Sequence, residues 1–379
     1  MKSNYNQLGQ YIEMVSRTNS DLKYGIEDVR GCSNTKQMMQ TRANLIGRTY
    51  EKFIVLRPQE FVFNRRTTRN GEKIGMAYNN TDREYIFTND YVAFRIKQEY
   101  LDKLLPDYLY LFFCRDEFDR YARYKSTGSA TEFFNWEDMC AVPFEIPPMD
   151  FQQLVVNAYK VLNKRIETKQ KINDNLEATL GTLYKEYFSF DKGSELPSGW
   201  QIAPFSKIAT VVMGQSPEGD DCNNDGIGEP LLNGPTEFGF YSPTPAQWTT
   251  NGKKYCDNGD ILFCVRGSTT GRMNWANQRY VIGRGLAAIR HISDTNLNWF
   301  IKAIIDNSLQ EILSAATGST FPNVGKDLLN NFQIVVPDTS TLEKFGEKGY
   351  TISQLISQNA KEIDHLLVLQ RMLLSQLAI

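Results

Sequence analysis

Thr127-Gly128-Ser129 returns as Thr317-Gly318-Ser319, and 317 minus 127 sets an offset of 190 in a chain of 379 residues. So large an offset points to a doubled folding unit rather than a stack of short repeats. Each copy is followed by an acidic residue, Asp138 or Asp327, and then by an apolar stretch closed by proline, Phe144-Glu145-Ile146-Pro147-Pro148 or Phe332-Gln333-Ile334-Val335-Val336-Pro337. Both stretches read as a buried strand ended by a residue with no N–H for the ladder.

Beyond each proline the periodicity turns helical at the same offset. Leu162, Ile166, Lys169, Asn173, Leu176, Leu180, Leu183 and Tyr187 fall opposite Ile352, Ile356, Asn359, Ile363, Leu366, Gln370, Leu373 and Leu377, and twelve of these sixteen positions are apolar or aromatic. A stripe spaced alternately by four and three residues needs a matching stripe. Each helix is the other's natural partner, with Leu162, Ile166, Leu176 and Leu183 meeting Ile352, Ile356, Leu366 and Leu373 in a coiled coil. The plainer alternative lays each helix on its own domain, but the stripe outruns what one small domain covers. Asp150-x-x-Gln153 resembles a capping box for the first helix, which then meets no proline before Phe188. The second should begin near Thr351, because Gly346 and Gly349 weaken the stretch before it.

The order of parts is therefore a domain at 1–149, a helix at 150–190, a second domain at 191–340 and a second helix at 341–379, with breaker-rich 191–199 between the copies. Both domains read as mixed α/β (α+β), giving an internal pseudo-twofold repeat. An apolar fraction of 41% with 22 Phe, 19 Tyr and 5 Trp supplies folded cores. No signal-peptide pattern and no run of membrane-spanning length occurs, so a soluble protein is expected. The six cysteines lack zinc-ligand spacing and read as reduced thiols of a cytosol.

Catalytic signals are missing. Only His291 and His365 could supply imidazole, and neither a phosphate loop, a dinucleotide fingerprint, a nucleophile elbow nor a zinc helix occurs. No Asn-Pro-Pro-Tyr or Asp-Pro-Pro-Tyr segment is present to hold a flipped base, and neither Pro106-Asp107 nor Pro337-Asp338 leads into a nuclease-type acidic and lysine cluster. Glu218, Asp220, Asp221 and Asp225 lack the spacing of a calcium loop, so no metal site is expected.

The net charge of −2 is not that of a generally basic nucleic-acid binder, yet only the surface facing phosphate must be positive. Arg57, Arg65, Arg66, Arg69 and Lys73 against Glu60 and Glu72 make residues 57 to 73 locally +3. Lys253, Lys254, Arg266, Arg272, Arg279, Arg284 and Arg290 against Asp257 and Asp260 make residues 253 to 290 locally +5. The two patches occupy comparable places, since Phe61-Val62-Phe63 matches Ile261-Leu262-Phe263 and Ala93-Phe94-Arg95 matches Ala288-Ile289-Arg290. Arg266, Ser268, Arg272 and Asn274, with Lys253, Lys254 and Arg284 nearby, are the residue types that grip phosphate and reach base edges. Taken singly, each reads equally well as part of a solvated hairpin.

In the order of these parts the chain resembles the specificity subunit of a Type I restriction-modification system, over essentially its whole length. Thr317-Gly318-Ser319-Thr320-Phe321-Pro322-Asn323-Val324, Pro147-Pro148-Met149-Asp150-Phe151-Gln152-Gln153, Gly214-Gln215-Ser216-Pro217 and Gly259-Asp260-Ile261-Leu262-Phe263 carry the resemblance. It departs at Pro337-Asp338-Thr339-Ser340, which lacks the second proline and the glutamines. The resemblance implies two target-recognition domains, each reading half of a split double-stranded DNA site, held apart by antiparallel helices. Those helices would also dock two methyltransferase subunits, and restriction/translocase subunits would join them. S-adenosylmethionine and ATP would belong to those partners, leaving this cytoplasmic subunit without cofactor or catalysis. The rivals are a specificity subunit of a Type IIB-like enzyme and, from another class, a two-domain coiled-coil scaffold that binds protein or glycan.

Overall fold

The computed structural model describes residues 6–41, 45, 47–67, 73–128, 131–188, 195–318 and 321–377. The chain forms two compact units, Met1–Arg165 with Leu366–Ile379, and Ile166–His365.

The first unit contains β1 (Ile12–Val15), β2 (Arg30–Cys32), β3 (Met38–Gln40), β4 (Ile54–Leu56), β5 (Phe61–Asn64), β6 (Met76–Tyr78), β7 (Tyr85–Phe87) and β8 (Tyr91–Ile96). Then come α1 (Pro106–Phe113), α2 (Asp116–Lys125), α3 (Trp136–Cys140) and the start of α4 (Met149–Phe188). Its main sheet is antiparallel in the order β1-β8-β5-β6. Side chains alternate across a strand. Phe61, Phe63, Met76 and Phe94 therefore join the core built with α1 and α2, while Val62, Ala77 and Ala93 face a second core with Leu56 and Phe87.

The second unit holds β9 (Gln201–Pro204), β10 (Ala209–Met213), β11 (Cys222–Asn223), β12 (Glu229–Leu232), β13 (Gln247–Thr249), β14 (Tyr255–Cys256), β15 (Ile261–Cys264), β16 (Met273–Trp275), β17 (Tyr280–Ile282) and β18 (Leu286–His291). After these run α5 (Asn298–Ser314), α6 (Lys326–Asn331), β19 (Gln333–Val336) and α7 (Thr339–Ser375). Its sheet β10-β18-β15-β16 repeats the first unit's order and antiparallel sense. Phe61 pairs with Phe94 and Tyr78, and Ile261 pairs with Ile289 and Trp275, so the strands matched by sequence hold matching places. A further sheet, β11-β13-β12-β17-β14, has no counterpart of that size among the described residues of the first unit.

Three expectations are corrected. Phe144–Pro148 is not a strand; Pro143 beside it makes an isolated bridge to Gln7 and the Phe144 N–H donates to the Asn6 carbonyl, while Pro143, Pro147 and Pro148 supply no ladder donors. The second copy does form a strand, β19, but it pairs only with β9 and buries Ile334 alone.

The first helix is secured by Gln152 rather than Gln153. The Gln152 side chain is fully buried, accepts the Leu105 N–H at 2.9 Å and donates to the Lys103 and Pro147 carbonyls, both at 2.8 Å. Gln153 donates to Asn157 on the helix surface.

The second helix starts at Thr339 and runs unbroken through Gly346 and Gly349. Asp338 caps it, accepting the Thr341 N–H at 3.0 Å and the Thr341 hydroxyl at 2.7 Å, and also takes the Trp200 indole N–H at 2.9 Å. Phe345, wholly buried against Phe188 and Trp299, pulls the first turns onto the domain, and this packing outweighs the glycine penalty.

Each domain is covered by two helix segments. In the first unit Val155, Val156 and Tyr159 of α4, Leu374 of α7 and Leu377 just beyond its end pack on the core, and the Arg115 guanidinium donates to the Leu377 carbonyl at 2.9 Å. In the second, Leu180, Leu183, Tyr184 and Phe188 of α4 and Leu342 and Phe345 of α7 do so. Of the stripe positions, Ile166, Ile356 and Leu366 are buried, and Leu162, Leu176, Leu183, Ile352 and Leu373 are half-buried.

Candidate nucleic-acid interface

The duplication extends to two loop devices that carry the basic residues. The first is the turn entering the central strand. Glu60 N–H bonds to Arg57 O, and Asp260 N–H to Asp257 O, at 3.2 and 3.1 Å. In each turn the acidic side chain accepts the backbone N–H of its first residue at 2.8 Å. Position three takes a left-handed φ, 63° at Gln59 and 85° at Gly259. Each carboxylate also holds an arginine. Glu60 is gripped by both terminal nitrogens of Arg17 at 3.0 and 3.1 Å, and Asp260 by Arg290 at 2.5 Å. Asp260 is 1% exposed, and burial pushes its carboxyl up to about 6 in spite of that cation.

The second device lies at the strand's exit. Arg66 bridges Phe133, which bridges Thr127; Arg266 bridges Asn323, which bridges Thr317. Gly128 and Gly318 take φ of 149° and 121°, and a Cβ on either would meet a carbonyl oxygen, of Thr131 or Phe321, at 2.0 or 2.2 Å. The repeated Thr-Gly is thus a closure that seats an arginine-bearing strand end, and the equivalent arginines are Arg66 and Arg266. Arg65 matches Val265 instead: their carbonyls accept the Phe134 and Val324 N–H groups at 2.9 and 2.8 Å.

The candidate residues divide by what they touch. In the first unit Arg57 lies 3.1 Å from Glu84, Arg66 3.4 Å from Asp90 and Lys73 3.8 Å from Asp116, so each carries a neighbouring carboxylate, while Arg65 is half-buried. Arg69 lies outside the described residues. In the second unit Arg266, Ser268, Lys254 and Arg284 are exposed, and no salt bridge to the three cations occurs among the described residues. Lys253 donates to Asn251 at 2.9 Å. Arg272 is a strut, its guanidinium over the Phe238 ring and bonded to the Pro235 and Phe238 carbonyls at 3.4 and 3.5 Å. Asn274 is 6% exposed and donates to Gly239 O at 3.1 Å, holding the same loop from below. Arg290, counted in the basic patch, is neutralised by Asp257 and Asp260.

Arg123, Tyr124 and Lys125, which the repeat does not mark, end α2 just before the Thr127 closure. Tyr124 is 82% exposed and Lys125 lies over its ring. At the 190 offset their counterparts are Leu313, Ser314 and Ala315, so the cluster is private to the first copy. Among the described residues no group of three or more His, Cys, Asp or Glu could hold a metal ion, and no helix is long and apolar enough to cross a membrane. His291 is buried, and its ring accepts the Asp294 N–H at 3.1 Å.

A duplicated mixed α/β domain, each copy delivering a long helix from a proline-closed segment and seating an arginine against a Thr-Gly closure, defines the class as a tandem-domain protein with a long helix after each domain. The model of the Type I restriction modification DNA specificity domain matches the chain twice, at residues 33–178 and 197–363, and the chain belongs to that family. It is 29% identical over 229 residues to the putative type I restriction enzyme MjaX specificity subunit of Methanocaldococcus jannaschii, covering 57% of this chain and 54% of that one. It is also 22% identical over 284 residues to the MjaIX specificity subunit of that organism, covering 69% and 66%. The matched parts thus span about half and about two thirds of these curated relatives. The Type I restriction-modification system S subunit from M. genitalium shares the fold, with a TM-score of 0.51, 14% identity and coverage of 100% and 98%.

Proposed function

We propose that the chain is a DNA-reading subunit that recognises a bipartite double-stranded site, one half per repeat, and directs partner methyltransferase and restriction subunits to it. The observation that carries this reading is the repeated seat for Arg66 and Arg266, in a chain of this family. In each copy an arginine stands at a strand end fixed by a backbone bridge to a Thr-Gly loop. A fixed backbone aims the arginine, so that only side-chain rotamers remain to be ordered on meeting a phosphate or a guanine edge. In the second copy Arg266, Ser268, Lys254 and Arg284 are the candidate contacts; in the first, Arg66, Arg65, Arg57 and Lys73 are, joined by Arg123, Tyr124 and Lys125.

The chain itself neither methylates nor cuts, holds no cofactor, and acts in the cytoplasm. S-adenosylmethionine and ATP belong to its partners, of which two are methyltransferase subunits. The helices α4 and α7 serve as a coiled-coil spacer that also docks those partners. Methylome sequencing of a host carrying and lacking this chain tests the whole reading. A split motif whose methylation disappears with the chain is expected; an unchanged methylome overturns it.

A further inference from the structure

Four of the sixteen helix-stripe positions are polar, and all four are bonded. In the second unit, where α4 beyond Arg165 pairs with α7 before Leu366, Lys169 Nζ donates to Asn359 Oδ1 at 2.8 Å and lies 2.9 Å from Glu362. The Asn359 amide donates to Asn173 Oδ1 at 2.9 Å, and Asn173 donates to the Ile356 carbonyl at 3.2 Å. Asn173 and Asn359 are 8% and 9% exposed, and the Lys169 and Glu362 side chains 25% and 28%. In the first unit Gln370 donates to Asn163 at 3.0 Å.

Lys169 and Asn359 are separated by 190 residues, which is the repeat offset. They are the same position of the two copies, and they touch each other. A helix pair in which equivalent positions meet is a pair that either helix could also form with a second copy of itself. Were α4 to take α4 of another chain in this register, Lys169 would face Lys169, and Glu362 would be replaced by Ile172, since 362 minus 190 is 172. Two half-buried ammonium groups would meet with no carboxylate between them. Were α7 to take α7, Asn359 would face Asn359, and two amides can bond.

We propose that Lys169, set against Asn359 and Glu362, is a pairing-selectivity residue: it makes α4 choose the unlike helix α7 and reject a second copy of α4. A polar residue at a seam position is a known way to set partner and register, and the repulsive arm supplies the discrimination. This inference goes beyond DNA recognition and does not depend on it.

The test refolds an equal mixture of unlabelled and isotope-labelled full-length chains from denaturant, then measures mass in solution and lysine cross-links. The wild type is expected to be monomeric without labelled-to-unlabelled Lys171–Lys171 links. Lys169→Asn removes the repulsion, and the dimer-to-monomer ratio should rise by about tenfold or more with those links appearing. The full exchange K169N/I172E/N359K/E362I moves the lysine to α7 and its carboxylate to α4, so α7 would then reject itself, and the chain should return to monomer. Lys169→Gln repeats the neutral case, and Lys169→Arg should stay monomeric. Folded neutral variants that remain monomeric without equal-position links overturn the proposal, as does an exchange variant that still dimerises. Loss of the fold in both neutral variants assigns Lys169 to stability instead and overturns it as well.

Discussion

The indole of Trp299 fills the space that a side chain at position 349 would need: a Cβ on Gly349 would lie 2.4 Å from its six-membered ring. Gly346, one turn earlier on α7, has only the Leu297 side chain near, at 3.6 Å. The two glycines should therefore respond oppositely to alanine. Helix propensity alone favours alanine by about 1 kcal/mol at both. At 349 the ring must move, and overpacking costs about 1 to 3 kcal/mol. Chemical denaturation should show Gly346→Ala neutral or stabilised and Gly349→Ala destabilised; a stabilised Gly349→Ala would contradict the packing account.

For DNA reading, Arg266 and Arg272 are separable in the same way, because one is exposed at a strand end and the other props a loop. Arg266→Ala should cost about 1 to 3 kcal/mol of binding and relax a single position if it reads a base, or weaken all sequences and lower the salt slope by about 1 if it holds phosphate. In either case only the half-site read by the second copy is affected. Arg272→Ala should instead lower the melting temperature. Competition binding against a half-randomised duplex at two salt concentrations, alongside thermal melting, gives both readouts. An Arg266 variant that binds as the wild type does would remove it from the interface.

The doubled sheet and the helical stripe were legible because both are periodic, and periodicity survives in a single sequence. Phe61 and Ile261 can be matched by eye since each opens an apolar triplet with an arginine, Arg66 or Arg266, five residues on. What was not legible depended on three-dimensional neighbours. The start of α7 was misplaced because the sequence shows two glycines and not the Trp299 ring that requires one of them. Gln152 and Gln153 are chemically identical, and only the buried carbonyls of Lys103 and Pro147 distinguish them. At the 190 offset Leu342 stands where Gln152 does, and the second copy replaces the clamp with the Asp338 and Trp200 contact. Among the basic residues, sequence gives charge but not its neighbours, so Arg290 and Arg272 looked as available as Arg266.

Asp260 gives the protein a pH response whose sign is unusual for a carboxylate near an arginine. Burial raises its folded pKa to about 6, above the unfolded value near ~3.9, so the native state binds the proton more tightly. Its contribution is fully present below the unfolded value and is lost as pH rises through about 6. From pH ~4 to ~6 this group should remove roughly 2 to 3 kcal/mol of stability. Subtracting the stability curve of Asp260→Asn from that of the wild type isolates the effect. A difference that is flat from pH 4 to 7, or that rises, would show that Arg290 governs the group instead.

The spacer function predicts a relation between helix length and DNA spacing, and the polar contacts state how the lengthening must be done. Four residues inserted between Lys171 and Leu176 would extend α4 by ~6 Å, close to one turn, so the apolar stripe is nearly preserved. Asn173 hydrogen-bonds to Asn359 across the pair, however, and an insertion in α4 alone would carry every later residue one turn past its partner on α7. The single insertion should therefore lower the melting temperature and weaken methylation at every spacing. Four matching residues placed in α7 between Gln354 and Ile356 lie across the pair from that site, and should restore stability. The doubly lengthened chain should then direct methylation to sites whose halves stand nearly two base pairs further apart, at ~3.4 Å per pair. Methylome sequencing of a host carrying it reads the spacing directly. If the matched variant is as stable as the wild type and assembles with its methyltransferase, yet modifies sites of the original spacing, the helices do not set that distance.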